Sequence, residues 1–120
     1  MIDMILETVG TSNPVYLSVD IDVLDPGVCP GTGTPESGGW TVRELRQIIR
    51  GLQSLRVVGG DIVEVSPPYD NQGQTTALAA ADILFDMISI MIMNPGFEGP
   101  VVDITPPSRA SRIIQRGIAK

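Results

Sequence analysis

Three aspartates lie close together at the end of an apolar segment, in the stretch "VYLSVDIDVLDPGVCPGTGTPESGG" at residues 15–39. The run 15–23 is apolar and rich in β-branched residues, which predicts a strand buried on both faces, as in a parallel sheet. Side chains at positions i and i+2 of a strand point to the same side. We therefore expect Asp20 and Asp22 to project together, with Ser18 on the same side of the strand.

Two neighbouring carboxylates in a site with little water favour a bound cation, because like charges repel and desolvation penalises each charge. Oxygen ligands suit Mg²⁺, Mn²⁺ or Ca²⁺ better than the metals that prefer thiolates. A D-x-D pair alone is a weak signal, and Asp22 could instead form a turn. Asp25 precedes Pro26, and we interpret it as a turn former whose carboxylate caps its own backbone.

The loop that follows the aspartates has the composition of a pocket wall. Gly31 and Gly33 allow close approach of the backbone, and Pro30 and Pro35 stiffen the flanks. The loop lacks the lysine and the spacing of a phosphate-binding P-loop, so nucleotide binding is not expected. Cys29 has no neighbouring basic residue that would activate it, and we interpret it as a buried or incidental thiol.

The elements that position these residues alternate between helix and strand. The pattern predicts helices at 2–9, 41–55 and 74–93, and strands at 15–23 and 57–65. The second helix begins with a capping box, "TVRE", and continues with apolar residues on one face. The order strand, loop, helix, strand implies a right-handed parallel crossover and an α/β fold.

Composition excludes several classes of protein. The chain has 120 residues, a formal net charge of −6 and a sequence pI of about 4.3, which argues against a nucleic-acid partner. A single cysteine excludes an internal disulfide. No secretory signal opens the chain, so we expect an intracellular location, cytoplasmic or mitochondrial.

The segment 74–93 is the longest apolar stretch, and a membrane span is the alternative to a packed helix. Asp82 and Asp86 interrupt the stretch, and the uninterrupted part is shorter than the roughly 20 residues that a bilayer requires. We therefore expect a packed helix and no membrane partner. Residues 1–93 are interpreted as one part of a domain, and residues 94–120 as an extra Pro-rich, basic tail that packs poorly.

The segments "SVDIDVLDP" and "PGTGTPESGG", followed by "DIVEVSPPYD" and "TALAAADILF", closely resemble the ureohydrolase family of arginases and agmatinases, and within it the agmatinase-like branch. The resemblance covers about residues 2–93. It implies a three-layer α/β/α fold with a central parallel sheet, of which this chain holds an incomplete C-terminal part. It also implies hydrolysis of a small guanidino substrate, such as agmatine, to urea and an amine.

The resemblance further implies roles for individual residues. A complete site in the family contains two Mn²⁺ ions, with Asp20 in the place of the carboxylate that bridges them and Asp22 in the place of a ligand of one ion. Glu64 occupies the place of a carboxylate that pairs with the substrate guanidinium, which such a group can bind in a bidentate fashion. Strand alternation puts Glu64 on the face of Ile62. An exposed strand end is the alternative interpretation of Glu64.

The largest departure of the chain from the family is that it contains no histidine, and the basic tail after Asn94 also departs from the ending expected in the family. The resemblance places the histidine ligands in an N-terminal half that this sequence lacks, so only part of the ligand set is expected and no residue is assigned as catalytic. We expect a portion that is inactive alone, from an enzyme that assembles as a homo-oligomer. The alternatives are a non-catalytic paralogue or a remnant that serves oligomerisation or metal binding.

Overall fold

A computed structural model describes residues 1–93 of the chain. In this part the chain forms three α-helices and two strands: α1 (Ile2–Val9), β1 (Pro14–Asp20), α2 (Val42–Gly51), β2 (Arg56–Val63) and α3 (Thr75–Met93). Short 3-10 helices follow the two strands, at Ile21–Val23 and Pro67–Tyr69. The predicted order of helices and strands is confirmed, whereas the predicted tail 94–120 lies outside the described residues.

The two strands pair in parallel, with Ser18 opposite Asp61 and Asp20 opposite Val63. Helix α2 lies in the connection between them, as the crossover prediction requires. Because the strands are parallel, the segments that follow both of them leave from the same edge of the sheet. This edge carries Asp20, and Glu64 comes directly after Val63.

The capping box at the start of α2 forms as predicted. The Glu44 amide donates to the Thr41 hydroxyl at 3.2 Å, and the Thr41 amide donates to the Glu44 carboxylate at 2.8 Å. The helix ends at Gly51, four residues before the predicted end at Leu55. Leu55 is nevertheless buried, because the turn after α2 keeps it on the core side although the helical hydrogen bonding has stopped.

Strand β1 differs from its prediction in length and in burial. It ends at Asp20 rather than Val23, because the Asp20 carboxylate accepts the Asp22 amide at 2.9 Å and begins a 3-10 turn. Burial on both faces is wrong for the described residues: Val19 is buried, but Tyr16 is 64% exposed. Side chains of α2 and α3 share a core with one face of the sheet only.

Helix α3 packs on the covered face of the sheet and against α2 through buried residues that include Ile83 and Met87. Close approach depends on Gly60 in β2, since a Cβ atom there would lie 2.6 Å from Met87 Cε. Among the described residues, α3 is the one helix that is long and apolar enough to cross a bilayer. One side of the helix packs into the core, whereas Phe85 on its other side is 67% exposed.

Asp86, a charged residue within the apolar sequence of α3, is buried in ion pairs with α2. It is 4% exposed, and it accepts from Arg46 Nε at 2.6 Å and from Arg50 Nη2 at 3.0 Å, while Arg46 also reaches Asp82 at 2.9 Å. The hydrogen bond from Arg46 is the main reason that the pKa of Asp86 lies below its ordinary value. The charge in the apolar stretch therefore joins α3 to α2.

Candidate functional site

Asp20 and Asp22 are brought together, although by a different device from the predicted one. Asp20 is the exposed last residue of β1, whereas Asp22 lies in the 3-10 turn and is partly buried. The contact between them is the hydrogen bond from the Asp22 amide to Asp20 Oδ1. The alternation of a continuous strand to Val23, on which the prediction rested, is wrong.

The Asp22 carboxylate is held by the loop that follows it. Its Oδ1 atom accepts the hydroxyl of Thr32, and its Oδ2 atom accepts the hydroxyl of Thr34. Sequence reasoning missed both threonines as site residues. The sequence feature that indicates them is "GTGT", in which two hydroxyl side chains lie two positions apart and can both reach one carboxylate.

The outer part of the same loop is closed by Asp25. Its carboxylate accepts the amides of Gly27 and Gly38 at 2.8 and 2.9 Å. These two hydrogen bonds, the one from Gly27 foremost, lower the pKa of Asp25. The interpretation of Asp25 as a turn former is confirmed, and its carboxylate is occupied by the loop backbone.

The loop also contacts the segment that carries Glu64. Thr32 forms an isolated antiparallel bridge with Val65, and the Ser66 amide donates to the Gly31 carbonyl at 2.7 Å. These contacts tie the residues beside Asp22 to the residues beside Glu64. The two predicted parts of the site are therefore joined through one loop.

Glu64 itself lies one residue beyond β2 and is exposed. Its φ angle is +62°, in the left-handed region that residues other than glycine seldom adopt and that is enriched at functional sites. The placement of Glu64 by strand alternation with Ile62 is wrong, because the strand has ended and the backbone has turned. Glu64 lies at an exposed strand end, which is the alternative interpretation given above.

Asp61 is a further carboxylate that the sequence left unassigned. It lies on β2, and its Oδ2 atom accepts the Tyr16 hydroxyl at 3.0 Å. This hydrogen bond is the main reason that the pKa of Tyr16 is raised. The Oδ1 atom of Asp61 is buried and has no hydrogen-bond partner within residues 1–93, which leaves an acceptor on the open face of the sheet.

Cys29 takes the position that was expected. Cys29 is fully buried, and burial raises the pKa of its thiol, so a role as a nucleophile is not supported. Trp40 lies beside α2, where it lines an apolar groove of about 250 Å³ that extends along β1 to Asp20.

The carboxylates suit a hard divalent cation by the type of their donor atoms. Asp20 and Asp22 supply oxygen ligands at one edge of the sheet, but no group of three or more acidic, cysteine or histidine residues that could hold a metal occurs within the described residues. Carboxylate oxygens are donors of a type that fits Mn²⁺, but two carboxylates are too few to complete a site.

A model of the "Arginase family" matches residues 1–89. The chain belongs to the arginase family. A relative from Schizosaccharomyces pombe whose name carries the word agmatinase is 61% identical over 83 residues, which cover 69% of this chain and 21% of the relative. The mitochondrial guanidino acid hydrolase of Homo sapiens is 59% identical over 75 residues, which cover 62% of this chain and 21% of that protein.

A solved structure of the same family confirms the fold. The proclavaminate amidino hydrolase of Streptomyces clavuligerus is similar with a TM-score of 0.72 and 43% sequence identity, over 77% of this chain and 30% of that chain. The arginase-like α/β fold is therefore confirmed, and the part seen here is its parallel strand pair with three helices. The chain spans about a fifth to a third of the length of these relatives. Membership also identifies it with a family of hydrolases that act on C–N bonds of guanidino compounds.

Proposed function

We propose that this chain is the C-terminal portion of a manganese-dependent ureohydrolase of the agmatinase type, which hydrolyses a linear guanidino compound such as agmatine to urea and an amine. The observation that supports the proposal most is the pairing of Asp20 and Asp22 at the carboxyl end of β1, with Asp22 held by two threonine hydroxyls. Family membership over residues 1–89 supplies the class of reaction.

In this proposal Asp20 and Asp22 contribute to a site for two Mn²⁺ ions, which supply an activated water when bound. The protein's part is to hold the two carboxylates at a set distance. The Asp20 carboxylate is oriented by the Asp22 amide, and the Asp22 carboxylate is oriented by Thr32 and Thr34. Two carboxylates without their cations repel each other, so the hydroxyl donors also offset part of that repulsion.

Glu64 is proposed to bind the substrate guanidinium. Its exposed position after β2 leaves both carboxylate oxygens open to a planar cation, and its left-handed backbone lies next to the segment bound by the loop. A carboxylate can accept two parallel N–H groups from a guanidinium, which fixes the plane of the substrate. The proposed role is therefore orientation of the carbon that water attacks.

The described residues contain no group of three or more side chains that could hold a metal, and the whole chain contains no histidine. We therefore propose that the chain is inactive alone and that the complete protein is a homo-oligomer located in the cytoplasm or mitochondria, with no nucleic-acid or membrane partner. Residues 1–93 are proposed as the part of the catalytic domain, with 94–120 as an additional tail. A non-catalytic paralogue, or a remnant for oligomerisation or metal binding, is the second candidate and is favoured by the same missing ligands.

A chimera tests the proposal. Residues 1–93 replace the matching segment of the Streptomyces clavuligerus enzyme, and product release is measured with agmatine, guanidinobutyrate and the scaffold's own amidino substrate. Asp20→Ala should abolish both activity and bound manganese, because the proposed site would lose one of its carboxylate ligands. Asp3→Ala removes an exposed acid from the first turn of α1 and is the matched control, which should keep both.

Glu64→Gln separates substrate binding from metal binding in the same chimera. It keeps the shape of the side chain and removes the charge, so manganese should stay bound. We expect kcat/KM to fall roughly tens to thousands of fold, which corresponds to a loss of about 2 to 5 kcal/mol in transition-state stabilisation. Glu7→Gln, an exposed change on α1, should leave kcat/KM unaltered. Loss of manganese from Glu64→Gln, or retention of two ions by Asp20→Ala in mass spectrometry, contradicts these assignments.

A further inference from the structure

A buried hydroxyl at the start of α3 holds the loop that contacts Asp22. Thr76 is 0% exposed, and its Oγ1 atom accepts the Gly31 amide at 2.8 Å. Asp70 in turn accepts the amides of Thr76 and Ala77 at 3.2 and 3.0 Å. The Thr76 hydroxyl therefore holds the loop against α3 through a hydrogen bond, and Asp70 holds the start of α3 that carries Thr76.

Gly31 fits this position closely. A Cβ atom at residue 31 would lie 2.9 Å from Thr76 Oγ1 and 3.0 Å from Asp70 Cβ, so the loop backbone lies directly against the helix. The Gly31 carbonyl accepts the Ser66 amide at 2.7 Å. Both polar groups of this peptide segment are used, one by α3 and one by the segment after Glu64.

The residue after Gly31 is Thr32, whose hydroxyl donates to Asp22. We propose that Thr76 is a positioning residue for the candidate site: by binding the Gly31 amide, it places Thr32 and Thr34 so that their hydroxyls orient the Asp22 carboxylate. Asp70 acts through Thr76. The inference rests on the proposed function where it treats Asp22 as a metal ligand. The hydrogen bonds from which it is argued are independent of that function.

The charge on Asp70 is suited to this role. Burial raises the pKa of its carboxyl, but the amides of Ala77 and Thr76, the Thr76 hydroxyl and the Asn71 amide together outweigh burial and leave the pKa below its ordinary value. Asp70 is therefore ionised at neutral pH. An ionised carboxylate is a strong acceptor for the amides of Thr76 and Ala77, and these hydrogen bonds hold the start of α3, and with it Thr76, in place.

Nuclear magnetic resonance of the full 120-residue chain, without metal or substrate, tests the inference. In Thr76→Val the shape is kept and the hydroxyl is lost. We expect the Gly31 amide to exchange with solvent about three- to tenfold faster, which corresponds to the loss of one ordinary hydrogen bond. We also expect the carboxyl carbon signal of Asp22 to shift, and Thr76→Ser to restore both readings.

Thr75→Val is the matched control. The Thr75 hydroxyl also fastens the loop to α3, but it donates to the Val28 carbonyl at 2.8 Å, before the segment that reaches Asp22. This variant should leave the Asp22 signal unchanged. The Gly27 amide, which is bonded to Asp25, is an internal reference whose exchange should stay the same in Thr76→Val.

Gly31→Ala gives an independent test should Thr76→Val fail to fold. It disturbs the same contact from the loop side, because the added methyl group meets Thr76 and Asp70, and it should shift the Asp22 signal in the folded protein. An unchanged Asp22 signal in either folded variant overturns the positioning role, even where stability falls. Because neither metal nor substrate is present, failure of the proposed function would appear in the chimera and not in these spectra.

Discussion

The two faces of the β1–β2 sheet differ in what covers them. On one face, side chains from α2 and α3 form a core that includes Val19, Leu45, Val57, Ile83 and Met87. The other face carries Tyr16, Ser18 and Asp61 and has no helix packed on it within the described residues. Both faces belong to the same pair of strands, so the strands alone do not determine which side is closed.

The covered face is stabilised by contacts that the described residues complete among themselves. Its buried charge, Asp86, has two arginine partners, and its apolar side chains interlock at Gly60. Within the described residues, the open face retains a buried acceptor on Asp61 that has no hydrogen-bond partner. Within residues 1–93, the comparison shows a closed core on one face of the sheet and an uncovered opposite face.

The largest predicted effect concerns catalysis. The isolated chain should release no urea from agmatine in the presence of Mn²⁺, because the chain contains no histidine and residues 1–93 contain no group of three or more side chains that could hold a metal. A coupled urea assay is the measurement, with the chimera described above as the active comparison. Turnover of about 1 s⁻¹ by the isolated chain, which is near the low end of ordinary enzyme rates, would show that the site is complete without further residues.

Two substitutions on α3 compare its inner and outer sides. Ile83 is 0% exposed and Phe85 is 67% exposed. Ile83→Ala should lower the free energy of unfolding by about 2 to 5 kcal/mol, because it leaves a cavity in the core. Phe85→Ala should change it by less than about 0.5 kcal/mol. Urea unfolding of the isolated chain measures both. Equal effects would mean that the outer side of α3 is covered in solution.

The arginines around Asp86 provide a smaller effect. Arg46→Met should cost about 2 kcal/mol of unfolding free energy, because Arg46 binds Asp86 through two nitrogens and its loss leaves a buried carboxylate with one partner. Arg50→Met should cost less than about 1 kcal/mol, since the Arg50 side chain is largely exposed. The same urea titration tests this order, and a larger loss from Arg50→Met would contradict it.

Acid should weaken the covered face through Asp86. Its pKa is lower in the folded state than the ordinary value of about 3.9, so below that value the unfolded state binds more protons. The stabilisation is therefore complete above about pH 4 and is lost as the pH falls further, through the folded pKa.

Stability measured as a function of pH checks this prediction. Asp86→Asn should reduce the dependence on pH in this acid range. Asp82→Asn should reduce it less, because the Asp82 side chain is mostly exposed. A pH dependence in Asp86→Asn equal to that of the unmodified chain would assign the acid sensitivity to other carboxylates.

The sequence by itself determined the features that depend on neighbouring residues. The capping box of Thr41 and Glu44, the turn closed by Asp25 and the order of helices and strands all follow from short-range hydrogen bonds and from apolar periodicity. The same local reasoning missed two strand ends. At Asp20 the side chain accepts the Asp22 amide and begins a 3-10 turn, and at Glu64 the backbone is left-handed. Both features interrupt the alternation on which a strand prediction relies.

Only the tertiary structure decided which groups meet across the chain. Arg46 and Asp86 are 40 positions apart, and Gly31 and Thr76 are 45 positions apart, so no local pattern relates them. The hydroxyls of the "GTGT" loop face Asp22 because α3 and the segment after Glu64 hold that loop from two sides. Residue types determine which groups can bind a cation, but packing between distant segments determines their distance and orientation.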